Sequence, residues 1–114
     1  MLSELDPDPV EVVNKSSKAP VLLLCEHAGR AIPGSLGGLG VNEMKLSSHI
    51  GWDIGAEALA RNLATLLNAP LILQHYSRLV IDCNRPPGTP QSIVKVSDGV
   101  EIVANQSLSF DQRK

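Results

Sequence analysis

The chain has 114 residues, a formal net charge of -2 and 43% hydrophobic residues, which bounds it to one domain or part of one. Acids and bases are interspersed, and the aromatics are Trp52, Tyr76 and Phe110 alone. Neither the basic face that nucleic acid or an anionic membrane requires nor a base-stacking surface is therefore expected. No apolar run reaches the roughly 20 residues that span a bilayer, and no basic–apolar–small signal pattern opens the chain, so a cytoplasmic location is expected.

In chain order, residues 1–20 read as an irregular leader in which Val10-Glu11-Val12-Val13 makes a short edge strand. Residues 21–114 form the domain proper. Residues 21–25 are four apolar residues and a cysteine bounded by turn signals, the pattern of a fully buried strand. Residues 29–40 hold five glycines and a proline and read as a long loop. Residues 42–46 suit a single helical turn. Residues 52–68 are the clearest helix: Ala56, Leu59, Ala60, Leu63, Leu66 and Leu67 form an apolar stripe, and Glu57 and Arg61 pair one turn apart. Asn68-Ala69-Pro70 ends it. Residues 71–73 and 78–82 read as two further strands, joined too briefly for a parallel crossover and hence as a hairpin. Pro86-Pro87-Gly88-Thr89-Pro90 is a stiff loop. Residues 92–96 read as extended and residues 107–114 as the first turns of a helix. The sum is an α/β domain with a mixed sheet.

Three stretches carry the chemistry. Glu26-His27 follows a buried strand, and in open α/β sheets ligands bind at that end. His27 suits a metal ligand or general base, or an imidazole satisfied by a backbone carbonyl. His49-Ile50-Gly51-Trp52-Asp53 puts Asp53 at the top of the buried stripe, where a carboxylate needs a cation or donors; capping the helix is the alternative. His49 reads as a loop residue. In the third stretch, alternation sets Arg78, Val80 and Asp82 on one side of a strand, from which Asp82, Asn84 and Arg85 emerge together. A guanidinium beside an amide can grip a substrate carboxylate bidentately; an Arg85–Asp82 structural pair is the plainer reading. Cys25, two residues from His27, admits a nucleophile or a small buried hydrophobe. Cys25 and Cys83 are expected as free thiols.

With these residues in view the chain resembles the N-formylglutamate amidohydrolase (deformylase) family. The likeness lies in Cys25-Glu26-His27-Ala28-Gly29 with Ile32-Pro33, in His49-Ile50-Gly51-Trp52-Asp53-Ile54-Gly55-Ala56, and in residues 76–86 around Arg78, Asp82, Asn84 and Arg85. The resemblance implies a phosphorylase/hydrolase-like, zinc-carboxypeptidase-like three-layer fold, here incomplete. It implies hydrolysis of an N-acyl amino acid such as N-formylglutamate, aided by zinc or another divalent metal. His27 and Asp53 stand as metal ligands, with Glu26 behind Asp53 as the next candidate ligand and as a catalytic carboxylate, and Arg78, Asp82, Asn84 and Arg85 as substrate-binding residues, with Asp82 orienting the Asn84–Arg85 pair. In carboxypeptidase-like relatives a glutamate follows the first histidine by three residues; that position is Arg30. Family members are longer, so a truncated form with uncovered edges prone to self-association is expected, with a non-catalytic carboxylate-binding remnant as the alternative. The resemblance requires His27, Asp53, Asn84 and Arg85 to line one crevice.

Overall fold

A computed structural model describes residues 2–109 and 111–113. Three strands form a mixed sheet: β1 (Val10–Val13), β2 (Leu23–Cys25) and β3 (Leu71–Gln74), in the order β1-β3-β2. β3 runs antiparallel to β1, with Val12 opposite Ile72, and parallel to β2, with Cys25 opposite Leu73. The parallel pair is possible because the helix α2 (Ala56–Leu67) makes the crossover that two parallel strands require. A second ribbon joins β4 (Val96–Ser97) to β5 (Val100–Glu101).

The hairpin between residues 71–73 and 78–82 does not form. Residues 78–82 are a turn: Val80 N–H and Ile81 N–H both donate to Ser77 O, at 2.9 and 3.4 Å. Leu79 is taken into a core of Leu39, Leu46, Ile50 and Ile102, and that burial outweighs the alternating pattern. Residues 92–96 contribute only Val96 to a strand. The short helix α3 (Val103–Gln106) lies before the helix expected at residues 107–114; there, residues 107–109 are not helical, residues 111–113 form a 3-10 turn, and residues 110 and 114 lie outside the described set.

Of the expected loop at residues 29–40, residues Gly34–Gly40 form 3-10 turns; two helix ends match their sequence signals. Asn42 caps the short helix α1 (Glu43–Leu46), its side chain accepting from Lys45 N–H at 2.9 Å. Asn68, in the left-handed region at φ 46, closes α2. The helix begins at Ala56, with the stripe and four residues later than the expected start at residue 52, after Gly55 at φ 84, which leaves Asp53 outside it.

α2 covers one face of the sheet. It approaches through small residues: Ala64 is fully buried, and Ala56 and Ala60 pack on the cluster of Cys25, Ala28, Leu71 and Leu73. Leu59, Leu66 and Leu67 of the expected stripe are exposed. The strand at residues 21–25 is likewise not fully buried, since Val21, Leu22 and Leu24 are exposed. Leu24, Val10 and Val12 lie on the sheet face that α2 does not cover. The leader is tied down by more than β1: Asn14 Nδ2 donates to Ala64 O and Ala69 O at 3.2 and 3.1 Å. Among the described residues no helix is long and apolar enough to cross a membrane.

Candidate active site

β2 and β3 pair as far as Cys25 opposite Leu73, and their ladder resumes at once with Gly29 N–H on Gln74 O, 3.1 Å. Three residues on one strand, Glu26-His27-Ala28, are therefore thrown out of the sheet where the other strand advances by one. This excursion puts His27 at the strand's carboxyl end. Gly29 is needed to close it, because a Cβ there would sit 2.0 Å from His75 O.

Two other segments are fastened around the excursion. Asp53 N–H donates to His27 O at 3.0 Å, and Arg78 N–H and Ser77 Oγ both donate to Gly51 O, at 3.2 and 2.7 Å. The turn at residues 78–82 then sets Arg78 and Asp82 four apart on one side, and Asp82 N–H donates to Ser92 O at 2.7 Å.

The side chains close a ring. His27 Nδ1 lies 3.1 Å from Asp53 Oδ2, and His27 Nε2 lies 2.8 Å from Asp82 Oδ1. Arg78 donates to Asp53 Oδ1 and to Asp82 Oδ2, each at 3.2 Å. With a proton on each imidazole nitrogen, all four contacts are charge-assisted hydrogen bonds. His27 and Asp82 are buried, while the Asp53 side chain is half exposed. Burial pushes the Asp82 carboxyl up, but hydrogen bonds from His27 and Asn84 N–H, with the His27 and Arg78 charges, outweigh it and hold the group below the usual carboxylate value.

Asp82 also faces the residues that follow it. Asn84 N–H donates to Asp82 Oδ1 at 3.0 Å, and Arg85 Nε lies 3.7 Å from Asp82 Oδ2. Arg78, Asp82 and Arg85 line a cavity of about 270 Å³, whose far wall is Gln91, Ser97 and Asp98. No sequence pattern pointed to that wall; the β4–β5 ribbon brings Ser97 and Asp98 there, and the irregular stretch before it brings Gln91.

The structure thus gathers His27, Asp53, Arg78 and Asp82 in one ring, and Arg78 and Asp82 share a cavity with Arg85; Asn84, expected in the same crevice, is exposed, meets Asp82 only through its backbone N–H and does not line the cavity. Glu26 is not in the ring. It lines a separate groove on the sheet, beside Leu24, Gln74 and Cys83, because neighbouring residues leave the strand in opposite directions. Arg30 pairs with Glu43 and Ser47 on the surface. His49 is exposed and lies 3.4 Å from Asp98, a loop contact.

Cys25 is buried beside Ala28, Leu71 and Leu73. Burial pushes its thiol up, and the Glu26, Asp53 and Glu57 carboxylates push it further, the reverse of what activates a nucleophile. Thiol titration with a disulfide reagent is expected to count one fast thiol in the native chain, the exposed Cys83, and two in denaturant. Two fast native thiols would overturn this assignment.

The ring also tests the expected metal. The two nitrogens of His27 lie on opposite edges of the imidazole, and each faces a different aspartate, so no point adjoins all three groups. Among the described residues no group of three or more His, Cys, Asp or Glu side chains is arranged to hold an ion. A catalytic zinc takes about three protein ligands; this arrangement does not fit one.

A family model described as N-formylglutamate amidohydrolase matches residues 19–113. The crystal structure of gene product Atu2144 from Agrobacterium tumefaciens is similar at a TM-score of 0.93 and 43% identity, covering 98% of this chain and 44% of that one. The chain therefore spans less than half the length of that relative. No curated relative matches. The family model takes in the His27 excursion, Asp53 and the residues 78–85 that meet in the ring and cavity, and the chain belongs to the N-formylglutamate amidohydrolase family.

Proposed function

We propose that the chain provides the carboxylate-binding pocket and part of the reaction centre of a metal-dependent amidohydrolase that acts on N-acyl amino acids of the N-formylglutamate kind. The observation that carries this reading is the cavity: two guanidiniums and the oriented Asp82 line a space of about 270 Å³, next to the His27 ring. That volume equals roughly nine waters' share of liquid, enough for the carboxylate end of an amino acid. We read the sheet as part of a three-layer, phosphorylase/hydrolase-like fold with α2 as one outer layer.

Arg85 is the carboxylate grip. Its charge is only loosely engaged by Asp82, at 3.7 Å, whereas Arg78 is bound at both ends by aspartates. Asp82 accepts from the Asn84 backbone N–H at 3.0 Å and lies 3.7 Å from Arg85 Nε, which fixes the stretch that carries the grip. A substrate held there has its acyl amide next to His27 and Asp53; family resemblance gives these residues to a divalent metal such as zinc, but in this chain both nitrogens of His27 are engaged by aspartates. These residues do not complete a ligand set. Glu26, in its separate groove, has no part in this arrangement.

The test is calorimetry and formate release with N-formyl-L-glutamate. Arg85→Ala is expected to weaken binding about tenfold or more, the loss of one hydrogen-bonded charge, and blocking the ligand's α-carboxylate as an ester is expected to do the same. A chain that neither binds nor hydrolyses N-formyl-L-glutamate, or binds it equally with Arg85→Ala, would overturn the reading.

A further inference from the structure

We infer that the free edge of β2 is an interface between two copies of this chain, which pair their β2 strands antiparallel and join their sheets into one. Among the described residues β2 pairs with β3 alone. Leu23 N–H donates to Pro70 O at 2.9 Å. Alternate residues of a strand turn to the same neighbour, so Leu22 and Leu24 turn their N–H and C=O groups outward. Their side chains are 55% and 57% exposed. An edge of this kind is a template for another strand. Apolar surface flanks it on both faces. On the helix side a groove of about 220 Å³ is lined by Leu23, Ala56, Leu59, Ala60 and Leu63. On the other side Leu24 borders a groove with Val10 and Ile72.

A second copy fits this edge in register, charge and depth. Antiparallel pairing with Leu22 opposite Leu24 of the other copy maps onto itself under a twofold axis. Each outward N–H and C=O then meets a partner, and the contact closes at two chains. Charge agrees with that direction. Exposed Lys18 precedes the strand and Glu26 follows it, so the Lys18 end of one copy meets the Glu26 end of the other at both ends of the seam. A parallel arrangement would set like charges together. The helices agree as well. α2 packs over both β2 and β3, so the two helices stand about two strand spacings apart, roughly 10 Å, near the distance at which helices pack. Leu59 and Leu63, exposed in the single chain, meet their counterparts above the seam.

The experiment is sedimentation equilibrium of the full chain. Across the micromolar range it is expected to fit a monomer–dimer equilibrium, with a limiting mass twice the monomer's 12.2 kDa. Leu24→Lys, which sets a charge on the edge, is expected to weaken dimerisation about tenfold or more. Leu5→Lys is the control: Leu5 is exposed ahead of β1, at the sheet's other edge, and dimerisation is expected to be unchanged. Glu26→Lys and Lys18→Glu are each expected to weaken it severalfold, and the double variant to recover most of that loss. Should Leu24→Lys not fold, as circular dichroism shows, the charge-swap set decides. A chain that stays monomeric, association that continues past the dimer, unchanged dimerisation of a folded Leu24→Lys, or a double variant no better than the single ones overturns the inference. None of these readouts is binding or turnover of N-formyl-L-glutamate, so the amidohydrolase reading stands or falls separately.

Discussion

Replacing Asp82 with alanine is expected to destabilise the chain by about 3–5 kcal/mol, the cost of removing one member of a buried charge pair. The carboxylate is buried and receives His27 Nε2, Asn84 N–H and Arg78, with Arg85 nearby. Its loss leaves an imidazole and a guanidinium without their anion and a backbone donor without its acceptor. Set against the roughly 5–15 kcal/mol that holds a domain together, this threatens folding at ambient temperature. Urea unfolding at neutral pH measures it, and a loss below about 1 kcal/mol would show that the ring does not support the fold.

The same residue sets the acid limb of stability. The Asp82 carboxyl titrates below its usual value in the folded chain, so the unfolded state binds the proton more readily. Its contribution is complete above the unfolded carboxylate value, near 4, and is lost as pH falls through the lower folded value. Asp82→Asn should be less stable than the parent at neutral pH and should lose less between pH 5 and pH 2. Urea midpoints across that range show it; parallel curves for the two proteins would contradict the role given to Asp82.

Gly29→Ala is the second large effect. The added methyl would sit 2.0 Å from His75 O and 2.6 Å from His75 C. Both are backbone atoms of the segment that Gly29 N–H and Ala31 N–H already bond, at Gln74 O and His75 O. Neither strand can yield without breaking the ladder, so overpacking of about 1–3 kcal/mol is a floor. Because the strain falls where the His27 excursion closes, binding of N-formyl-L-glutamate should weaken together with stability. Gly34→Ala is the control. A methyl there meets nothing nearer than Asp6 Oδ1 at 3.7 Å, and its effect should stay within about 0.5 kcal/mol. Thermal unfolding of the two variants separates them; similar melting curves would remove the close-approach account.

The elements legible in the linear chain were those whose signals are local. β1, β3 and the body of α2 follow from residue type and period, and Asn42 and Asn68 mark helix ends because their side chains and backbone satisfy nearby groups. The Glu57–Arg61 pair was visible as an i,i+4 spacing, but its third partner was not. Arg61 also bonds Glu11, at 2.9 and 2.6 Å, across fifty positions. The identities of His27, Asp53, Asp82 and Arg85 follow from their chemistry and from family likeness; Glu26 belongs to the same matching stretch, but the fold turns it into a separate groove.

What the sequence determined by itself, then, was the set of reactive groups and the elements that bear them. Tertiary structure decided how they meet. Arg78-Leu79-Val80-Ile81-Asp82 has the alternation of a strand, and an isolated segment would offer no reason to prefer a turn. The core around Leu39 and Ile102 supplies one by burying Leu79. That single choice changes which residues share a side: the turn puts Arg78 and Asp82 together by its four-residue return, closing the ring on His27 and Asp53. The same holds for α2, whose leucines look like the buried stripe but whose alanines are what let helix and sheet approach. Hydrophobic pattern identifies residues able to be buried; which of them are buried depends on partners distant in the chain, and only the folded molecule contains them.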